Sequence, residues 1–184
     1  GLGARIVCHE MALSDRTGEG RMIIPDAVNT GWAKVVETGV VAPGGFPVRT
    51  VRLDDLTLPD PDFIKIDAEG HELRILQGAT AVLRRARPHI ILENWLERRD
   101  LPATIAPLKL LEREGYRLFV PCWQAPGDPP VVWPEPHPPS PAPDQMFVLV
   151  PTTAEQRLFM TEHLSLYACP AERMNELRER FEAV

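Results

Sequence analysis

Two short apolar runs, Phe63-Ile64-Lys65-Ile66 and His89-Ile90-Ile91-Leu92, constrain this chain more than any other feature. Between them Leu73, Leu76, Ala79 or Thr80, and Leu83 recur at helical spacing, and Pro88 stands just past the end. Runs this short and this continuously apolar read as strands covered on both faces. Parallel strands joined by one helix lie side by side with a right-handed crossover, so the unit commits the chain to an α/β fold. Gly78 interrupts the helical pattern at a cost of about 1 kcal/mol relative to Ala, which marks a close packing contact.

The same alternation continues downstream. Ile105, Leu108 and Leu111 give a second helical stripe, with Gly115 at its C-cap position. Tyr116 to Val120 and Met146 to Val150 read as strands that should be antiparallel neighbours. Upstream, Ile6 to Ala12, Arg21 to Ile24 and Val48 to Leu53 read as strands, with Asp15-Arg16-Thr17-Gly18 as a turn. Beyond Pro151, Thr153 to Leu166 and Ala171 to Val184 read as two helices split at Pro170. Met174, Leu177 and Phe181 share one side of the second, which should dock on something, and self-association through these helices is the expected oligomer contact.

Of the 20 prolines, ten fall between Pro121 and Pro143. Proline fixes φ and removes an N–H donor, so this segment predicts a long loop of polyproline II character, neither helix nor central strand. It carries Trp123, Trp133 and His137, and reads either as an inert loop or as a cover over a bound acceptor.

Composition bounds the function classes. At 184 residues and 20.6 kDa, with 44% hydrophobic and 25% charged residues, the chain makes one ordinary domain. A net charge of −6 argues against a phosphate-backbone binder, so no nucleic-acid partner is expected. No stretch is long and apolar enough for a membrane span, and the first ten residues show no signal-peptide pattern. Cys8, Cys122 and Cys169 fit neither a disulfide framework nor a zinc cluster, and together these features predict a cytoplasmic protein.

Ligands of open α/β sheets bind beyond the carboxyl ends of the strands. Here those ends carry Asp67-Ala68-Glu69-Gly70-His71-Glu72 and Glu93-Asn94-Trp95. Adjacent strands lie about 4.8 Å apart, so Asp67 and Glu93 should share one pocket. Asp67, Glu69, His71 and Glu93 are the candidate catalytic residues. The alternative for Glu69 and Glu72 is favourable placement on the helix dipole, and for His71 a solvated first-turn position. No metal site is expected, a divalent cation at Asp67 and Glu69 being the lesser alternative because clustered carboxylates suit Mg²⁺.

The run FIKIDAEGHELRILQGA, followed by RPHIILEN, resembles the FkbM family of S-adenosylmethionine-dependent methyltransferases. The resemblance extends to Met11-Ala12-Leu13-Ser14-Asp15, Asn29-Thr30-Gly31, Val51 to Leu56 and Gln145 to Pro151, so that residues 1–151 make the methyltransferase domain and 152–184 a helical extension. It implies a Rossmann-like class I methyltransferase fold with a mostly parallel sheet and an antiparallel last strand. The family's Asp-x-Gly turn and the acidic residue that holds the ribose precede the part matched here, so the fold is expected to be incomplete at its N-terminus and to bind the cofactor weakly by itself. The resemblance further implies S-adenosylmethionine as cofactor, with Ala12, Leu13, Ser14 and Asp15 beside the adenine. Asp67 and Glu69 would flank the sulfonium and the hydroxyl of a small-molecule acceptor, a sugar, polyketide or similar metabolite. A non-catalytic module serving in binding or assembly is the competing expectation.

Overall fold

The computed structural model describes residues 5–24, 33–37, 45–125, 131–134 and 145–180. Two mixed sheets form. The first orders β1 (Ala12–Leu13), β4 (Phe46–Val51), β2 (Gly18–Ile23) and β3 (Lys34–Glu37), with only β1 and β4 parallel. The second runs β5 (Phe63–Ile66), β6 (His89–Trp95), β10 (His163–Pro170), β7 (Tyr116–Ala125) and β8 (Val131–Pro134), and β9 (Met146–Thr152) also pairs with β7. β5 and β6 are parallel neighbours as expected, and β7 and β9 are antiparallel neighbours. The expectation of a mostly parallel sheet is corrected, because β10 runs antiparallel to both β6 and β7, and β8 and β9 run antiparallel to β7.

The helical reading of 153–166 is corrected as well. Gln156–Phe159 forms one 3-10 turn, and His163–Pro170 is a strand at the centre of the second sheet. Its side chains alternate in burial from His163 to Ala168, the period-2 signature of a strand with one covered face. The second stretch is helical as read, through a 3-10 turn at Ala171–Arg173 and α4 (Met174–Arg180), so among the described residues one of the two C-terminal helices invoked for self-association forms. Leu177 turns back toward Phe63 and Phe147 of its own chain, around a cavity of about 290 Å³. Phe181 lies outside the described residues.

The Pro-rich segment is also less loop-like than its composition suggests. β7 continues through Pro121 to Ala125, and β8 occupies 131–134 with Trp133 in register opposite Trp123. Pro121 pairs with Leu149 of β9, while on the other edge of β7 it falls between the residues paired with β10 and those paired with β8. The ring of Trp123 packs edge-on against Phe147, with centroids 5.5 Å apart. His137 lies outside the described residues, as do Asn29, Thr30 and Gly31.

The core lies between the second sheet and its helices. Ile66, Ile90, Leu92, Leu164 and Leu166 point to one side and pack with Leu76, Leu83, Leu108 and Leu111 from α1 (Glu72–Gln77), α2 (Thr80–Ala86) and α3 (Leu101–Arg113). Asp100 caps α3 by accepting from the Ala103 amide, and Gly115 ends it at φ +81°. The helix expected from Leu73 to Leu83 is two helices. The break falls at Gly78, where the missing side chain admits the Ser14 backbone: a Cβ there would lie 1.9 Å from the Ser14 carbonyl oxygen. A distant residue then starts α2, because Asp54 accepts from the amides of Ala81 and Val82 at 3.1 and 2.9 Å. No helix among the described residues is long and apolar enough to cross a membrane.

Arg157 is fully buried and ties the late part of the chain to β6. It donates to Asn94 Oδ1 at 2.7 Å, to the Asn94 carbonyl at 2.8 Å, and to the carbonyls of Thr161 and Glu162 at 2.9 and 3.0 Å.

Two stability measurements test these contacts. Gly78→Ala should lower stability by roughly 1–3 kcal/mol, since the clash with backbone outweighs the helix propensity gained. An unchanged or higher urea midpoint would show that the contact with Ser14 is not tight. Arg157→Ala should cost roughly 3 kcal/mol or more, because several buried oxygens lose their donors together. A loss under about 1 kcal/mol in the same assay would contradict that role.

Candidate active site

β5 and β6 end side by side, with Ile66 opposite Leu92, so the next residues, Asp67 and Glu93, share one rim. Lys65 Nζ donates to Asp67 Oδ2 at 2.6 Å. That hydrogen bond, with further help from Glu93 and from the charge of His163, holds the Asp67 carboxyl below the usual range despite partial burial. Glu93 moves the other way. Burial comes first and the neighbouring Asp67 second in raising it, while His163 pulls it back. The two adjacent carboxyls are thus pushed in opposite directions, Asp67 down and Glu93 up.

The loop after Asp67 adds a third carboxylate. Glu69 adopts φ +48° and Gly70 φ +94°, two consecutive left-handed residues that only a glycine makes easy at the second. The turn is held by Glu72, whose Oε1 accepts from the Ala68 and Gly70 amides at 3.2 and 3.0 Å. One carboxylate oxygen from each of Asp67, Glu69 and Glu93 then lies within 4.8 Å of the others. Beside them opens a cavity of about 570 Å³, bordered by Lys34, Glu69, Leu73, Trp95, Leu96 and Glu97.

His71 does not join this group. It is buried at the N-cap of α1, with its Nε2 at 3.0 Å from Ser14 Oγ. Ser14 donates in turn to Asp15, which also receives Arg74 at 2.9 Å. Burial opposes ionisation of Asp15, but the Ser14 hydroxyl and the Arg74 guanidinium keep its carboxyl below the usual value. Ala12 is buried in β1. The cavity beside Ser14 measures only about 10 Å³, room for about one water. Leu13 has a different setting: it shares a cavity of about 200 Å³ with Asp67 and Ala68.

Three contributors escape a reading of the strand tips alone. His163, at the start of β10, donates through Nε2 to Glu93 Oε1 at 2.5 Å. Trp95 stacks on its ring at 4.5 Å between centroids. Lys65 is the cation on Asp67. The alternation His163-Leu164-Ser165-Leu166 was the available signal for the first.

The family model for the methyltransferase FkbM domain matches residues 11–118. The chain belongs to the FkbM methyltransferase family. The matched span runs from β1 into β7 and takes in Asp67, Glu69 and Glu93, so this FkbM domain gathers three carboxylates, of which Glu69 borders the 570 Å³ cavity. No curated protein and no solved structure matches the chain.

The raised Glu93 carboxyl has a consequence for stability. A carboxyl that binds its proton more tightly in the folded state stabilises the fold at low pH, and that contribution is lost as pH rises through the folded value. Gln has no proton to lose. Glu93→Gln should therefore gain stability relative to the unsubstituted protein as pH rises from about 4 to about 7. Urea midpoints across that range measure it, and a difference independent of pH would rule out a raised Glu93.

Proposed function

We propose that this FkbM domain is an S-adenosylmethionine-dependent O-methyltransferase of Rossmann-like class I type. Its acceptor is a hydroxyl on a sugar, polyketide or similar small metabolite. The observation that carries the reading is the cluster of three carboxylates at the strand tips, Asp67 lowered and Glu93 raised, whose third member, Glu69, borders a metabolite-sized cavity.

The donor set fits the charged end of the cofactor. When bound, S-adenosylmethionine supplies an electrophilic methyl group on a sulfonium. Asp67 is an anion suited to lie beside that cation, and Leu13 borders the same cavity. Glu69, across the cavity mouth, is the second anion of the rim. Glu93 is the group able to accept the proton of the acceptor hydroxyl as the oxygen attacks. Trp95 and Leu96 give flat apolar walls for a ring, and holding that ring in line supplies the larger share of the acceleration. Ser14 and His71 are engaged with each other and serve the packing of β1 against α1.

One observation supports the other reading, a binding or assembly module. The 10 Å³ space beside Ser14 leaves no room for an adenine. Titration calorimetry with S-adenosylmethionine, and release of S-adenosylhomocysteine across a panel of sugar glycosides and polyketide alcohols, separate the two. Binding with turnover on any member supports the enzyme, and neither binding nor turnover supports the module. With a turned-over acceptor, Asp67→Asn should lower kcat by roughly 10²-fold with little change in thermal midpoint. Full activity in that variant removes Asp67 from the mechanism.

A further inference from the structure

Among the described residues, four charged groups border the 570 Å³ cavity, and three of them are acids. Glu72 spends Oε1 on the amides of Ala68 and Gly70, and Glu97 accepts from the Arg99 amide at 3.1 Å. Glu69 belongs to the cluster with Asp67 and Glu93. The fourth group is Lys34, the one cation on that border. It enters from the first sheet, on the edge strand β3 opposite Ile23 of β2, whereas the rest of the border comes from β6, α1, α3 and the loops ahead of the two helices. Its side chain is exposed, and it makes no hydrogen bond or ion pair among the described residues, not even with Glu69 or Glu97. A lysine on an edge strand also deters edge-to-edge pairing, but that role needs only charge in water and no place on a cavity.

We infer that Lys34 determines the specificity of this cavity: the acceptor is a hydroxy compound that also carries an acidic group, a carboxylate or a phosphate, and Lys34 binds that group. The inference rests on the methyl-transfer reading for calling the bound molecule an acceptor. Opposite charges on one border, not neutralised by each other, orient a ligand. The acidic group is repelled by Glu69 and the carboxylates behind it and drawn to Lys34, so the molecule enters one way round, with its hydroxyl left toward the acids. A compact ammonium with three donors suits a carboxylate or a phosphate oxygen equally well. Trp95 offers the apolar surface against which the body of such a molecule can rest.

Titration calorimetry at low salt with matched ligands tests this without cofactor. Methyl glucoside is compared with methyl glucuronide and with a glucose monophosphate, and tyrosol with hydroxyphenylacetate. At least one acidic member should bind about ten-fold or more tightly than its neutral counterpart, the scale of one hydrogen bond to a charged group. The glucuronide and phosphate arms tell which acid is read. Lys34→Met should remove the difference while neutral members bind as before, and Lys34→Arg should keep it. A lysine that serves only the sheet edge would leave the ratio untouched. The inference is overturned if no acidic member outbinds its neutral counterpart, if the preference survives in Lys34→Met, or if Lys34→Arg loses it equally. Should Lys34→Met aggregate through the exposed edge, Lys34→Gln decides by the same ratio. Release of S-adenosylhomocysteine is measured separately. Acid preference without turnover defeats the methyl-transfer reading and leaves the acid-selective cavity standing, whereas turnover without acid preference defeats this inference alone.

Discussion

Four hydrogen bonds from one buried guanidinium organise the functional end of this molecule. Arg157 grips Asn94 by side chain and backbone, and holds the carbonyls of Thr161 and Glu162 just ahead of β10. Asn94 uses its remaining donor on the Thr104 carbonyl in α3. A cation in the interior is expensive unless its donors are used, and here four neutral oxygens, two on Asn94 and one each on Thr161 and Glu162, accept from it. Glu93 and Trp95 flank Asn94, and His163 follows Glu162. The chemistry-bearing side chains therefore sit one residue away from a fixed point, which is how a rim made of strand tips acquires definite geometry.

The second sheet separates its duties by face. Alternate residues of β5, β6 and β10 bury Ile66, Ile90, Leu92, Leu164 and Leu166 beneath the helices. The intervening positions place Glu93 and Trp95 beside His163 on the opposite face. A shift of β10 by one residue would exchange the two sets, sending leucines out and the imidazole into the core. The core thus enforces the pairing of His163 with Glu93, although neither residue contributes to that core.

Much of this was legible in the sequence, for reasons that can be stated residue by residue. The β5–α–β6 unit declared itself because both runs are short, apolar and joined at helical spacing, and the family resemblance on those same residues agreed. Gly78 was readable as a close contact, although its partner, Ser14, was not. The segment after Pro151 was misread because Glu155, Arg157 and Leu158 mimic a helix start, and the strand alternation begins only at His163. The Pro-rich stretch misled in a similar way, since Pro121 and Pro134 both lie in paired strands, which composition cannot reveal. His71 looked catalytic by its neighbours in the chain, but tertiary packing turned it toward Ser14. Asp67, Glu69 and Glu93 were visible because strand ends converge by topology, whereas His163 arrives from a distant segment.

The central place of β10 also orders events during synthesis. β6 and β7 are made well before residues 163–170, yet β10 alone lies between them. Until that segment leaves the ribosome, both strands present unpaired edges rich in β-branched and aromatic residues, the kind of surface that joins edge to edge with other chains. The pairing that finally closes the sheet spans a large sequence separation and pays its loop-closure entropy late, which slows the last step. A nascent chain of this protein is therefore most exposed to aggregation between the emergence of β7 and that of β10, and a chaperone that shields β6 and β7 would be needed for the time taken to translate the residues between β7 and β10.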